Sequence, residues 1–482
     1  MFDRSFVERP ILHKDATMSF EQFEAAPSLR PFLNLGCLLD IPTGKYYTGK
    51  RGESVLNGGL SYLTGIGGRG NTFKSTIAHY MTLVALDRYA NAKGIVYDTE
   101  MSLTIHRMHQ LAAAMPMIGG LDLAEDRRLI VTDATIYQGN KFFALYKEGL
   151  ETKRKDGKKN MGATPFLDRH GEYIQAFYPS VGEIDSFSQF STDSVEKIQD
   201  GAELGEAGRN IEAMRGAMAK NQMMMELPGL TGGAGAYLIL TAHMGDTVMD
   251  DPYAPAQKKL GFLKNKVKFK NVPEKFTFLM NNCWYCLSAE PLINQTTKGP
   301  EFPRHSDDKI KGDPDLMVVK LQNLRAKSGP TGMPFELLVS QSEGVLVGLS
   351  EFNYIKTYER FGLGGHDKSY YLELLPDVNL QRTSIRGKID DNAQLRRALE
   401  ITSEMCQMKN LWHHLPDSLL CTPKELYEDL KAKGYDWDRL LNTRGYWVFN
   451  DVDHPLDFLS TMDLLNMRAG TYHPYWYGEL PK

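Results

Sequence analysis

Residues 68–75 read Gly68-Arg69-Gly70-Asn71-Thr72-Phe73-Lys74-Ser75, with Thr76 next. The apolar run Leu60-Ser61-Tyr62-Leu63-Thr64 precedes them, and the helical pattern Ile77-Ala78-His79-Tyr80-Met81-Thr82-Leu83-Val84-Ala85-Leu86 follows. The order is strand, glycine-rich loop, Lys-Ser, helix. Small residues let successive backbone N–H groups turn toward phosphate oxygens, and a helix N-terminus adds partial positive charge. In that arrangement residues 68–76 cradle the phosphates of ATP, Lys74 reaches the β- and γ-phosphates, and Ser75 ligates Mg²⁺. The position directly before the lysine, commonly glycine in such loops, holds Phe73. A glycine-rich strand-to-helix turn that binds nothing draws on the same residue types.

Outward from this loop, residues 56–350 alternate apolar runs with helical patterns, which predicts an α/β fold with a largely parallel central sheet. Strands are expected at 59–64, 94–98, 129–132, 236–242 and 316–321, and a helix from 209 to about 225. Residues 1–55 form a short N-terminal lead-in, interrupted by Pro10, Pro27, Pro31 and Pro42, where long helices are not expected. The core spans 56–355. Within it, 147–159 is charged without an apolar period and reads as a solvated loop. Residues 166–173 read as a hairpin turning near Gly171, so about 136–176 forms an insertion. Residues 356–482 read as a smaller, mainly helical C-terminal domain. One of its helices opens at Thr422-Pro423-Lys424-Glu425 as a capping box, and another runs from 455 to about 468 and stops before Gly470. The aromatic tail Tyr472-His473-Pro474-Tyr475-Trp476-Tyr477 docks on this chain or on a neighbour.

The 482 residues carry a formal net charge of −4, so nucleic-acid binding requires a local basic patch. No apolar stretch approaches the roughly 18–20 residues that span a bilayer, and the first ten residues lack a signal-peptide core. The expectation is a cytoplasmic protein with no membrane association. Five scattered cysteines suit a reducing compartment. Cys283 and Cys286 lie in a strand-like run, 276–287, with their thiols on opposite faces. No second cysteine pair completes a zinc site, so they read as buried structural thiols.

Carboxylates at the C-terminal ends of strands beside a phosphate loop occupy the binding crevice of an open α/β sheet. Ile95-Val96-Tyr97-Asp98-Thr99-Glu100 ends in this way, and Glu100 is placed to deprotonate a water attacking the γ-phosphate. A plain polar strand terminus has the same pattern. In Ser180-Val181-Gly182-Glu183-Ile184-Asp185-Ser186-Phe187, Asp185 would hold Mg²⁺ through water, opposite Ser75. The strand 237–242 ends in His243, either a γ-phosphate sensor or a capping histidine. In the long loop after it, Lys258, Lys259, Lys264, Lys266, Lys268 and Lys270 interleave with Phe262 and Phe269. Lysines neutralise backbone phosphates and aromatics stack on unpaired bases; a solvated sheet face has the same composition. Arg325 and Lys327, two apart at the end of a late strand, share a face and could reach a γ-phosphate held by an adjacent subunit.

In this order the segments resemble the RecA superfamily of ATPases, and within it most closely the bacteriophage UvsX recombinases, where Phe also precedes the lysine in Phe-Lys-Ser. Asp98-Thr99-Glu100 resembles the segment that carries the family's catalytic glutamate, and Ile184-Asp185-Ser186 its Walker B segment. Thr241-Ala242-His243 matches the position of Asn-His in UvsX. Leu33-Asn34-Leu35-Gly36-Cys37-Leu38-Leu39-Asp40 and Gly58-Gly59-Leu60 resemble the entry into the first core strand. The likeness covers roughly 30–350. It implies a RecA-like P-loop core, ATP with Mg²⁺ at a subunit interface, and DNA-binding loops at about 187–210 and 244–275. It further implies Arg325 and Lys327 acting in trans, an N-terminal segment docked on a neighbour, and homo-oligomeric filaments. Those filaments would pair single-stranded with double-stranded DNA, served by loader or single-strand-binding accessory proteins in the cytoplasm of a bacterial host. Glu100-Met101-Ser102 and Arg325-Ala326-Lys327-Ser328-Gly329-Pro330-Thr331-Gly332 also resemble DnaB-type hexameric helicases, which implies rings instead. A nucleotide-gated assembly protein without DNA-stimulated hydrolysis is the reading from a different class.

Overall fold

The computed structural model describes residues 29–191, 207–246, 260–263, 267–305, 310–313, 315–366 and 368–480. The chain from 29 enters the molecule directly: Phe32, Leu33, Leu35 and Leu39 are buried. A small antiparallel pair follows, β1 (Lys45–Thr48) and β2 (Ser54–Asn57). Strand β3 (Leu63–Gly68) is buried throughout. It starts later than the expected 59–64 and runs on through Gly65 and Gly67 to Gly68, the first residue of the expected loop. The reason is crowding: a Cβ on Gly65 would meet the Phe276 ring at 3.0 Å, and one on Gly67 would meet Met244 Sδ at 2.7 Å. Glycine here permits a close approach to a strand rather than a turn.

Helix α1 (Lys74–Arg88) is buried on most of its surface, as its near-continuous apolar sequence requires. It leads to β4 (Lys93–Asp98), α2 (Ile105–Ala112) and β5 (Leu129–Asp133). Residues 139–156 then form α3 (Gly139–Asp156), which corrects the expected solvated loop at 147–159. Phe142 and Leu150, two turns apart, lie on its narrow buried face, and the helix formers Lys, Glu, Ala, Leu and Arg make up much of the remainder. Its Lys153, Arg154 and Lys155 sit in the last turn, where the helix dipole favours cations. Strands β6 (Met161–Leu167) and β7 (Tyr173–Phe177) form the expected hairpin, with Gly171 in its turn at φ +78°.

Next come β8 (Ser180–Asp185), α4 (Ala207–Ala234), β9 (Ala236–Asp246) and β10 (Val267–Phe269). They are followed by α5 (Phe276–Leu279), β11 (Asn282–Pro291), β12 (Leu316–Ala326), β13 (Pro334–Ser340) and β14 (Gly344–Val345). The order β14-β13-β12-β11-β3-β9-β8-β4-β5, with β10 on β9, makes a 10-stranded sheet. From β11 to β5 all neighbours are parallel. β12, β13 and β14 add antiparallel at the other side. The expected mostly parallel α/β core is present. Cys283 and Cys286 are both buried and fall in different apolar clusters on the two faces of β11.

Helix α6 (Val347–Thr357) leads into a three-stranded meander, β15 (Leu363–His366), β16 (Ser369–Leu372) and β17 (Leu375–Leu380), within a region expected to be mainly helical. Helices α7 (Ile385–Asp391), α8 (Ala393–Leu411), α9 (Pro423–Ala432), α10 (Trp437–Leu441) and α11 (Thr461–Ala469) complete the chain. The capping box of α9 forms as read, with Thr422 and Glu425 capping each other's backbone N–H. Helix α11 starts at a second capping box on Ser460 rather than at 455, and Gly470 ends it at φ +76°.

The described part of the lead-in packs on its own chain. Trp447 Nε1 donates to Phe32 O at 3.0 Å, Gln407 Nε2 to Leu38 O at 3.0 Å, and Ser54 N to Asp463 Oδ1 at 2.7 Å. The aromatic tail also docks in cis: Trp476 Nε1 donates to Phe458 O at 3.1 Å. Among the described residues no helix is long and apolar enough to cross a membrane.

Candidate functional site

The site lies where β3, β8 and β4 end beside β9. Gly68 closes β3, in register with His243 of β9 and with Cys286 of β11. The loop then turns sharply: Asn71 has φ +57° and Phe73 φ +60°. The left-handed region suits glycine best. Phe73 thus holds a backbone conformation that suits glycine best, while its half-buried ring packs on the core. As N-cap of α1, Phe73 supplies no side-chain hydrogen bond. The first-turn N–H groups of Lys74, Ser75 and Thr76 lack intrahelical acceptors, so they are available to an anion. A Cβ on Gly70 would meet nothing within 4 Å, which leaves the loop's outer side open. The Lys74 side chain starts in that first turn and is largely buried. Thr72 Oγ1 braces the loop by donating to Arg69 O at 2.8 Å, and Arg69 Nη2 pairs with Asp246 at the end of β9 at 2.6 Å.

Beyond β4, the Asp98 carboxylate accepts the backbone N–H groups of Glu100 at 2.8 Å, Ser102 at 2.6 Å and Leu103 at 2.6 Å. This folds the chain back and fixes Glu100. One Glu100 oxygen lies 3.0 Å from His243 Nε2 and accepts Gln189 Nε2 at 3.3 Å. His243 is an interior residue of β9 rather than its last, because the strand runs on to Asp246.

Register pairs Asp98 of β4 with Asp185 of β8. Asp185 is buried and accepts Thr241 Oγ1 from β9. Thr99 clasps the two strand ends: its N–H donates to Asp185 O at 2.7 Å and its hydroxyl to Ser186 O at 3.0 Å. Two residues before Asp185, Glu183 is fully buried. Its oxygens contact His79 Nδ1 at 2.6 Å and Thr82 Oγ1 at 2.6 Å, both on α1. Burial alone would lower the His79 pKa, but the Glu183 charge and hydrogen bond outweigh it and raise the imidazole above its ordinary 6.5. Ligand atoms of His79, Glu183 and Asp185 lie within 4.8 Å of one another. Both Glu183 oxygens are engaged, so Asp185 at the strand end is the carboxylate suited to a hydrated cation.

Lys74, Ser75, Asp185, Glu100 and His243 are therefore brought to one end of the sheet's interior strands. Arg325 and Lys327 are not. Arg325 is a strand residue, since β12 continues past the expected 321 to Ala326. It pairs with Cys283, which in turn pairs with Gly65, toward the opposite end of β3 from Gly68. Its guanidinium donates to Met280 O at 3.1 Å and Thr277 O at 3.4 Å of the same chain. Lys327 N donates to Asn281 O at 3.1 Å, and burial lowers its ammonium pKa. Lys268 is exposed on β10 and Lys270 is exposed just after it. Lys258, Lys259, Lys264 and Lys266 lie outside the described residues, as do 192–206 of the first expected loop and 247–259 of the second.

The sequence reading missed the Glu183–His79–Thr82 group, the Asp98 staple and Gln189. A period-2 signal was present for Glu183, which shares a strand face with Asp185. Gln189 carries no such signal. No protein-family model matches the chain, and no curated protein matches it.

Proposed function

We propose that this chain is a RecA-type, DNA-dependent ATPase that assembles on single-stranded DNA and pairs it with homologous duplex. The observation that carries the reading is the convergence of an uncapped helix N-terminus bearing Lys74 and Ser75 with Asp185, Glu100 and His243 at neighbouring strand ends. The residues present fit a nucleoside triphosphate with Mg²⁺. The loop N–H groups and Lys74 would bind the phosphates, and Ser75 and Asp185 would hold the cation. Bound there, Mg²⁺ would offset charge on the β- and γ-oxygens. Glu100 takes a proton from the water that attacks the γ-phosphate. His243, beside Glu100, senses the state of that oxygen. Lys268 and Lys270 face nucleic-acid phosphates; for Arg325 to act on a nucleotide held by a neighbouring subunit it must release Met280 O and Thr277 O.

Electron microscopy with long single-stranded DNA, Mg²⁺ and a non-hydrolysable ATP analogue tests the assembly. Helical filaments on the DNA support the recombinase reading. Closed six-fold rings would replace it with a hexameric helicase. Monomers beside bare DNA would overturn both and leave the nucleotide-gated assembly protein.

A further inference from the structure

We propose that Lys220 is a positioning residue that ties the roots of the two candidate DNA-binding loops to each other, so that they shift as one body. Lys220 projects from α4. Its Nζ donates to Phe187 O at 3.3 Å, Ser188 O at 3.4 Å and Asn271 O at 3.2 Å. The first two carbonyls open the segment after β8, and the third closes the segment after β9 and β10. An ammonium has three donors and no acceptor, so three carbonyls satisfy it completely. The Phe187 ring centroid, 5.6 Å away, adds its negative face. Burial pulls the Lys220 ammonium down to about 8, which leaves it mostly charged at neutral pH.

Further bonds join the same roots. Ser188 Oγ donates to Lys270 O at 2.8 Å and accepts His243 N at 2.8 Å, and Lys270 N donates to His243 O at 2.8 Å. Glu100, on the nucleotide side, contacts Gln189 of one root and His243 of the other. The two roots are thus held at three places, by Glu100, by Ser188 and by Lys220. A change at the Glu100 contacts cannot displace one root without loading the Lys220 carbonyls of the other. The coupling to nucleotide and DNA rests on the function proposed above; the tie itself does not.

Hydrogen exchange read by mass spectrometry on the full chain, without nucleotide or DNA, tests the tie. Lys220→Met is expected to speed exchange at least about tenfold in peptides covering both 186–190 and 269–275, with β3 and β8 unchanged. Lys220→Arg, which restores donors to the carbonyls, should return both peptides to within about threefold of the wild type. Faster exchange at one root only, or at neither, overturns the proposal. Should Lys220→Met not fold, Lys220→Gln is read by the same criterion. A second readout separates positioning from simple support: the ratio of single-stranded-DNA affinity with ATP analogue to that with ADP. In Lys220→Met this ratio should fall toward one while nucleotide affinity stays within about twofold, and an unchanged ratio counts against the coupling. A wild-type chain that binds no DNA overturns the functional reading, and the exchange result then decides the tie alone.

Discussion

His79 Nδ1 lies 2.6 Å from Glu183 Oε1, with both side chains buried between α1 and β8 directly below Asp185. This pair fastens the helix that carries Lys74 to the strand that carries Asp185. Removing one partner of a buried pair leaves the other charge uncompensated, at a cost of about 3–5 kcal/mol. His79→Ala is therefore expected to lower unfolding free energy by that amount in urea titrations. A His79→Leu/Glu183→Leu double variant should lose much less, because no buried charge remains. An equal loss in the double variant would show that packing, not the ion pair, sets the cost.

The same pair sets a pH dependence. The folded His79 pKa is raised above 6.5, so its contribution to stability is fully present below pH 6.5 and is lost as pH rises through the folded value. Lys153 acts in the opposite sense. Burial lowers its pKa from 10.5 to about 7, so the unfolded chain holds more protons between those values and stability rises there. The test is consequently a difference: wild type minus His79→Gln, measured from pH 6 to 9. The expected difference shrinks with rising pH, and a flat difference would remove His79 as the titrating group.

Phe73 holds a left-handed backbone that costs a non-glycine residue about 1–2 kcal/mol. Phe73→Gly should relieve that strain and lose a comparable amount of packing from the half-buried ring. Net stability should change by less than about 1 kcal/mol, and nucleotide affinity should stay within a few-fold. Phe73→Val, β-branched and intolerant of positive φ, should weaken nucleotide binding at least about tenfold. Equal affinities for the two variants in a fluorescent-nucleotide titration would mean that the loop backbone does not form the phosphate cradle.

The sequence made legible those features whose cause is local. The turn from β3 into α1, the strand carrying Asp185 and the Thr422 capping box each follow from residue types a few positions apart. The sequence alone ends β3 too early, because the glycines after Thr64 carry no apolar pattern and are explained only by the close-packed rings over them. Helix α3 was hidden by its charges, since few apolar residues, chiefly Phe142 and Leu150, define its buried face. The Glu183–His79 pair joins residues 104 apart, which no local pattern encodes. Lys220 was invisible for a different reason: its partners are backbone carbonyls, which every residue possesses.

In the proposed function Glu100 is the base. Replacing it by glutamine keeps an oxygen to face His243 and Gln189 but removes the proton acceptor. Glu100→Gln is expected to cut DNA-stimulated ATP turnover by about 10²–10⁴-fold with nucleotide affinity preserved. Ordinary turnover in this variant would eliminate Glu100 as the base. A matched loss of affinity would mean that it holds substrate instead.

Lys268 and Lys270 carry the last expectation. They are two residues apart along one extended segment and so share a face, and both are exposed. Lys270 N is bonded to His243 O, which sets this segment directly beside the part of β9 that carries His243. A solvated strand edge would have the same composition, so the distinguishing quantity is counterion release. Each phosphate neutralised on single-stranded DNA contributes about 0.7 to the slope of log affinity against log salt. Lys268→Ala/Lys270→Ala should therefore flatten that slope by about 1.4 in fluorescence-anisotropy titrations across several salt concentrations, with unfolding free energy unchanged within about 0.5 kcal/mol. An unaltered slope would make the two lysines solvating groups and place the DNA contacts elsewhere on the chain.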